Sequence, residues 1–497
     1  MTLADNYIEG VPGSLYLVDN AVTDEENSGS TSNDIILSPQ PSCSTVFSGF
    51  AQIEREVGIS INTLTQGTGY LYGFYGWGGV FVVPLALKFG HRPVYLFTSL
   101  VIFAMCIWVP WITTSQQWIA SRIIYGTFGS PCESLNEVSI SMIYFSHERG
   151  YYLGFYSIAL YAGAFLAPIC SGYLFNASGL PAVMYMTSGV AALCFFIQFF
   201  MFEEVSYMHR PEFTRHPARV TADKLSTKRS NSPHASEKEV EGAVVASTEP
   251  LRLGQDRNLI GTPHSYLYSL GMFRQTYCTN RQWFDAMWRP VYMISFPCIF
   301  YAGFSLGTVL GAAPYNFDSG KTGLIYIGPL IVACFAGPLS GALGDRMVIR
   351  AARKNGGVRE PEPRLWINIF CVAIVPPAFI LWGIHWFGLE VALIAIGAFV
   401  VVQASVSAAY ALDTYPEMPV ETMVAAVIVR NTLSFALGYA TTPWLTNEGV
   451  QNMYLEMGFA SAGFCAFFLL VIWKGKSFRA MTKNTFWRFA ATTPIQH

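Results

Sequence analysis

Charge is what this chain lacks. Only 12% of its 497 residues are Asp, Glu, Lys or Arg, where a water-soluble domain carries roughly 25%. That supply is too small to solvate the surface of a large soluble globule. A formal net charge of -2 leaves no basic excess for a nucleic-acid partner. Metal and disulfide spacings are missing too: the ten cysteines include no CxxC pair and no Cys/His cluster. Most of them, Cys106, Cys132, Cys170 and Cys371 among them, sit inside apolar runs as small hydrophobes. No Ser/His/Asp constellation or phosphate loop occurs and the histidines scatter mostly through loops, so neither an enzyme nor a cofactor is expected. Residues 1–44 are polar and acidic with no Lys or Arg, which denies them the basic start of a cleavable signal.

What the chain has instead is apolar length. Hydrophobic residues make up 52% of it, with a mean hydropathy of +0.36, and runs of about 20 apolar residues, enough to cross a bilayer as a helix, recur along it. They fall at about 64–87, 93–113, 118–145, 151–175 and 181–202, then 290–311, 322–343, 365–388, 390–412, 423–445 and 452–474. Ahead of them Ser44–Ile53 (STVFSGFAQI) is apolar but too short to span comfortably. Between the two series, residues 203–288 are polar, and rich in Ser, Thr, Pro and mixed charge from Pro211 to Pro263, which reads as a flexible linker. The expected organisation is a disordered tail (1–43), an N-terminal bundle (44–202), the linker (203–288), a C-terminal bundle (289–475) and a tail (476–497). The fold class is therefore all-α and polytopic, two six-helix bundles in the parallel-repeat plan of transporters. Eleven full spans are expected, plus a truncated first helix, with the seventh shortened.

Lys and Arg in short loops mark the cytoplasmic side. The loop after 322–343 holds Arg346, Arg350, Arg353, Lys354, Arg359 and Arg364, and residues 88–92 hold Lys88 and Arg92. The alternate loops TTSQQ (113–117) and NASGLP (176–181) hold none, so the linker and the C-terminus are expected in the cytoplasm.

The span Trp118–Phe145 stands out because it carries Arg122, Glu133 and Glu137. On one continuous helix these fall near a single stripe. A charge at mid-membrane costs on the order of 3 kcal/mol, and such residues nearly always face a bundle interior or a watery cavity. Arg122 and Glu133 are eleven residues apart, about 16 Å along the axis, too far for direct contact. Glu133 and Glu137 are one turn apart, so in a low-dielectric setting they are not expected to remain ionised together. In the second series Tyr410 and Asp413 end one span, while Arg430 and Asn431 lie inside the next. Arg430 needs a cavity or an acid across the bundle; Asp413 reads as an interfacial cap.

The loop VPLALKFGHRPVYL resembles the GxxxDRxGRRP signature of the major facilitator superfamily through Lys88, Gly90, His91, Arg92 and Pro93, with Val83 and Leu87 where Gly and Asp are expected. GALGDRMVIRAARKNGG resembles it at the matching point of the second half through Gly341, Asp345 and Arg346. Arg122 and Gly126 have the RxxxG spacing of a second family signature, linked in antiporters to proton coupling. GAFLAPICSG is similar to the antiporter helix motif through Gly163, Pro168 and Gly172. The strings IEREVGISINTLTQGTGYL, ESLNEVSISMIYFSHERG, APYNF and EPEPRLW resemble the fungal drug:proton antiporter-like branch, which includes polyamine and organic-cation transporters. The resemblance covers about residues 51–475.

It implies a monomeric secondary transporter that moves a small organic cation such as a polyamine against protons by alternating access. The plasma membrane is the expected location, the vacuolar membrane the alternative. Glu133, Glu137, Arg122, Arg430, Asn431 and Tyr410 would form the substrate and proton site, and Lys88, Gly90, Arg92, Gly341, Asp345 and Arg346 the gating loops. A multidrug efflux antiporter and a non-transporting truncated paralogue are the competing readings.

Overall fold

A computed structural model describes residues 57–144, 148–202, 280–299, 326–384 and 389–490, together with Pro12, Leu15–Tyr16 and Ile53–Glu54. The expectations of a first-helix stub at 44–53, a flexible linker and a shortened seventh helix fall largely outside these residues.

Helices dominate. In order they are α1 (Ile61–Phe89), α2 (His91–Trp108), α3 (Ser115–Gly129), α4 (Pro131–Ile143), α5 (Arg149–Met201), α6 (Asn280–Met293), α7 (Ile327–Lys354), α8 (Asn368–Ile384), α9 (Leu389–Thr414) and α10 (Pro419–Ala490). Starts follow local chemistry. The Ser60 side chain accepts from the Thr63 amide at 3.4 Å and Thr114 from the Gln117 amide at 3.4 Å, satisfying donors that a first turn leaves orphaned. Among the described residues, eight stretches are long and apolar enough to cross a membrane, and they are divided between the two halves of the helical architecture.

The halves repeat one device at the same point. Both α5 and α10 are broken by a glycine with positive φ, Gly179 (φ 71°) and Gly449 (φ 76°), a conformation glycine adopts without steric cost. The breaks fall at NASGLP and TNEGV, so the fifth and sixth spans of each half form a hairpin.

The spans run antiparallel, which sets the ends of the molecule. α1 carries Lys88 in its last turn and α5 starts at Arg149, while α7 finishes among Arg346, Arg350, Arg353 and Lys354. These termini share one end, referred to below as the basic end; Ile61 lies at the other.

Three differences from expectation appear. The single span 118–145 is two helices meeting at Ser130–Pro131. Pro131 has no N–H to continue the ladder, although Ser130 keeps helical angles (φ -51°, ψ -41°) and the axis carries on. The last helix does not stop near residue 474 but continues to Ala490, because its extension buries Arg479, Phe486 and Ala490 and bonds Tyr415 through Thr482 at 3.0 Å. The 1–43 tail is not wholly unstructured either. Leu15–Tyr16 (β1) pairs antiparallel with Val358–Arg359 (β2), and the Pro12 carbonyl accepts from Arg479 Nη1 at 2.6 Å.

That strand pair and the Pro12–Arg479 bond put the described N-terminal residues at the basic end, beside the C-terminal helix. An epitope tag at residue 2 is therefore expected to bind antibody only after permeabilisation, as is a tag at the C-terminus. Labelling of the N-terminal tag on intact cells, with the C-terminal tag hidden, would contradict this arrangement.

Candidate functional site

Glycine is what lets the halves touch. At the basic end α5 crosses α7 backbone to backbone: a Cβ on Gly341 would collide with the Gly150 carbonyl, and one on Gly337 with the Gly154 carbonyl. Further along, α1 meets the first span of α10, Pro419–Ala440. There a Cβ on Gly76 would come within 2.9 Å of Asn431 Cβ, and Trp77 Nε1 donates to Thr432 Oγ1 at 3.1 Å.

The central cluster lies on this second contact. Glu133, in the first turn of α4, pairs through Oε2 with Arg430 Nη2, and the Asn431 amide donates to the same oxygen at 3.4 Å. Arg430 is the twelfth residue of the 22-residue span Pro419–Ala440, about 16 Å in at 1.5 Å per residue and so at mid-membrane. Glu137 lies one turn beyond Glu133, within Coulomb reach of both Arg430 and Glu133. It is 4% exposed, and its Oε2 accepts no hydrogen bond. Tyr156 and Tyr161 of α5 lie within the same electrostatic reach. The Tyr156 hydroxyl donates to the Cys132 and Glu133 carbonyls at 3.3 Å, which braces the turn that aims the carboxylate.

Four of the six expected site residues are thus together: Glu133, Glu137, Arg430 and Asn431. Of the two roles open to Arg430, pairing with an acid across the bundle is the one found. Arg122 is elsewhere, its guanidinium 4.1 Å from the Trp118 ring centroid and its charge felt by Cys106 of α2. The eleven residues separating it from Glu133 account for this. Tyr410 is fully buried in another cluster, with Phe296, Tyr415 and Phe486, near the basic end of α9.

The signature loops build a second constellation at that end. Asp413 receives Arg364 at 2.9 Å, Arg359 at 3.2 Å and Arg149 at 3.7 Å. Arg364 also bonds Asp345 at 2.6 Å, and Asp345 accepts the Tyr151 amide at 3.0 Å. Since Arg149 and Tyr151 belong to the first half and the two acids to the second, the cluster ties the halves. Asp413 is a hub rather than the interfacial cap expected. Beside it Glu362 pairs with Arg479 at 2.7 Å; burial lifts the Glu362 carboxyl above its ordinary range, with Arg479 opposing. Lys88 stands over the Trp283 ring of α6 at 5.2 Å. Gly90 breaks the chain between α1 and α2 at φ 97°, and buried Arg92 donates to the Phe199 carbonyl at 2.8 Å. Arg346 lies in the last turns of α7 at the same end. Gly163, Pro168 and Gly172 lie within α5.

Arg149, Arg364, Glu362 and Arg479 were not singled out as site residues. Their signal in the sequence is weak: Arg364 reads as one charge of a basic loop, and Arg479 falls in the stretch 476–497 that reads as a tail.

Comparison with known proteins fits this arrangement. The Major Facilitator Superfamily profile matches residues 42–438, and the chain belongs to that superfamily, a family of multi-pass membrane transporters. An uncharacterised MFS-type transporter of Schizosaccharomyces pombe is 24% identical, covering 98% of this chain and 95% of its own. Protein HOL1 of Saccharomyces cerevisiae is 25% identical, covering 95% and 96%. The fold is similar to the crystal structure of the human organic anion transporter MFSD10 at a TM-score of 0.50, with 12% identity over 88% of this chain and 96% of the other.

Replacing Asp413 by Ala leaves Arg149, Arg359 and Arg364 facing one another without their shared acid. Breaking a buried pair from one side costs about 3–5 kcal/mol. A clear fall in the thermal midpoint of detergent-purified protein is expected, with the surface pair partner Lys476→Ala, 52% exposed, as the unaffected control.

Proposed function

We propose that the protein is a proton-coupled transporter of small organic cations, of the polyamine or related amine type, working as a monomer by alternating access in the plasma membrane. The observation that carries the reading is the pairing of Glu133 with Arg430 across the two halves at mid-membrane, with Glu137 buried alongside it. A carboxylate in so apolar a place needs a proton or a cation to neutralise it. Proton and organic cation thus compete for the same acid, and that competition is what couples their movements.

The pair also lies where an alternating-access machine must separate its halves. When the α1–α10 contact parts, Glu133 and Arg430 lose each other unless a guest intervenes. The ammonium of an amine satisfies the carboxylate, and the nearby Tyr156 and Tyr161 rings offer faces for cation–π attraction. At the basic end, Asp345, Asp413 and their arginines close the opposite route by holding α5 against α7 and α9.

The test is flux through purified protein in liposomes with an imposed pH gradient and labelled spermidine. Wild type is expected to concentrate the amine in proportion to the gradient. Glu137→Gln, which keeps the shape and removes the charge, is expected to lower the gradient-driven rate roughly tenfold or more, the factor that follows from losing about 1.4 kcal/mol of charge-assisted contact. If Glu133→Gln and Glu137→Gln both leave the rate and its pH dependence as they are, the reading fails.

A further inference from the structure

The central cluster can be counted in charges, and the count is uneven. Among the described residues, two acids and one base meet there: Glu133, Glu137 and Arg430. The elements packed around them add only neutral groups. These are Asn136 and Ser139 on α4, Asn431 on α10, Tyr156 and Tyr161 on α5, and Tyr95 of α2, whose hydroxyl sits 3.3 Å from Ser139 Oγ.

Arg430 is committed. It keeps its proton at any working pH, and it holds Glu133. That leaves Glu137 as the acid without its own base, buried with a carboxylate oxygen that accepts no hydrogen bond. With Glu137 protonated the cluster is neutral; with Glu137 ionised and a singly charged guest present it is neutral again. Ionised and empty, it carries one uncompensated negative charge at mid-membrane, which a halves-moving step would have to drag through low dielectric.

We infer that the geometry makes this a one-charge site: it exchanges one proton for one positive charge, so its preferred guest is a monovalent organic cation, or one ammonium of a longer amine whose remaining charges stay outside the cluster. This rests on the function proposed above and adds the charge class of the guest. In the exchange the Glu137 carboxyl O–H bond breaks, the proton leaves to water on the side to which the site is open, and the cation takes its place against the carboxylate. No covalent bond to the cation forms. Arg430 sets the count: it cancels Glu133 and leaves a single acid to trade.

Quaternary ammonium probes test this, because their charge does not depend on pH. Full-length protein is placed in liposomes with a trapped pH dye, and labelled tetraethylammonium (one charge) or methyl viologen (two charges) is supplied with valinomycin and potassium to set the voltage. Tetraethylammonium is expected to move with one proton per cation at a rate indifferent to voltage, and methyl viologen at under a tenth of that rate. Arg430→Gln frees Glu133, so its proton-to-cation ratio with methyl viologen is expected to rise to two. The double variant Glu133→Gln/Arg430→Gln removes acid and base together and is expected to return the ratio with methyl viologen to one. Monodisperse elution confirms that each variant is folded. Voltage-driven tetraethylammonium flux, a wild-type ratio other than one, or a double variant that does not return to one overturns the one-charge site while leaving cation transport standing. Absence of pH-driven flux for both probes and for spermidine overturns the proposed function and this inference with it.

Discussion

A guanidinium and a carboxylate, drawn from opposite halves of the chain and buried at mid-membrane, are the constraint around which this protein is arranged. Either group alone would be expensive in hydrocarbon; together they are tolerable and hold the halves in register. The surrounding sequence serves that meeting. Gly76 lets α10 come close enough for Arg430 and Asn431 to reach across, and Tyr156 pins the carbonyls of the α4 turn that presents Glu133. Because buried pairs are costly to break from one side yet contribute little as a pair, such a contact stabilises weakly and specifies strongly. That balance suits an interface that has to open.

The basic end works by the same physics with more groups. Asp413 collects three arginines, and Arg364 is shared with Asp345. The α5–α7 crossing beside it has no side chain between backbones at Gly150–Gly341 and Gly154–Gly337. Close backbone approach gives a tight, shallow contact with few interlocking side chains to disengage. Among the described residues, two polar fastenings thus join the halves, one central and one at the rim, and the glycine crossings lie beside them.

Much of this was legible in the sequence and some was not, for physical reasons. The spans were visible because hydropathy over about 20 residues reports directly on the bilayer, and the doubled loop signature pointed to paired halves. Glu133, Glu137 and Arg430 drew attention because charge inside an apolar run is rare. That Glu133 and Arg430 are each other's partners was not legible: almost 300 residues separate them, and no local pattern records a long-range contact. Arg122 shares a helical stripe with Glu133 yet lies against Trp118, since stripe geometry says which way a residue points and nothing about how far along the axis its partners are. Tyr410 and Asp413, three residues apart, go to an apolar cluster and to an ionic hub, a division decided by their neighbours: Phe468 and Phe486 of α10 share the cluster of Tyr410, while Arg149, Arg359 and Arg364 surround Asp413. The helix beyond residue 474 was obscured by its own Lys and Arg, which read as a soluble tail while the fold buries one of them.

That last helix has a consequence for its length. From Gln451 to Ala490 it runs 40 residues, about 60 Å, twice the thickness of a bilayer's oily interior. Roughly half of it therefore stands clear of the lipid as a rigid spar, docked by Arg479 onto Glu362 and the Pro12 carbonyl and by Thr482 onto Tyr415. Tyr415 is two residues from Asp413. The chain's two extremities and its rim fastening are consequently fixed to one another, so shortening the C-terminus would not trim a loose end but strip a buried carboxylate of its counter-ion.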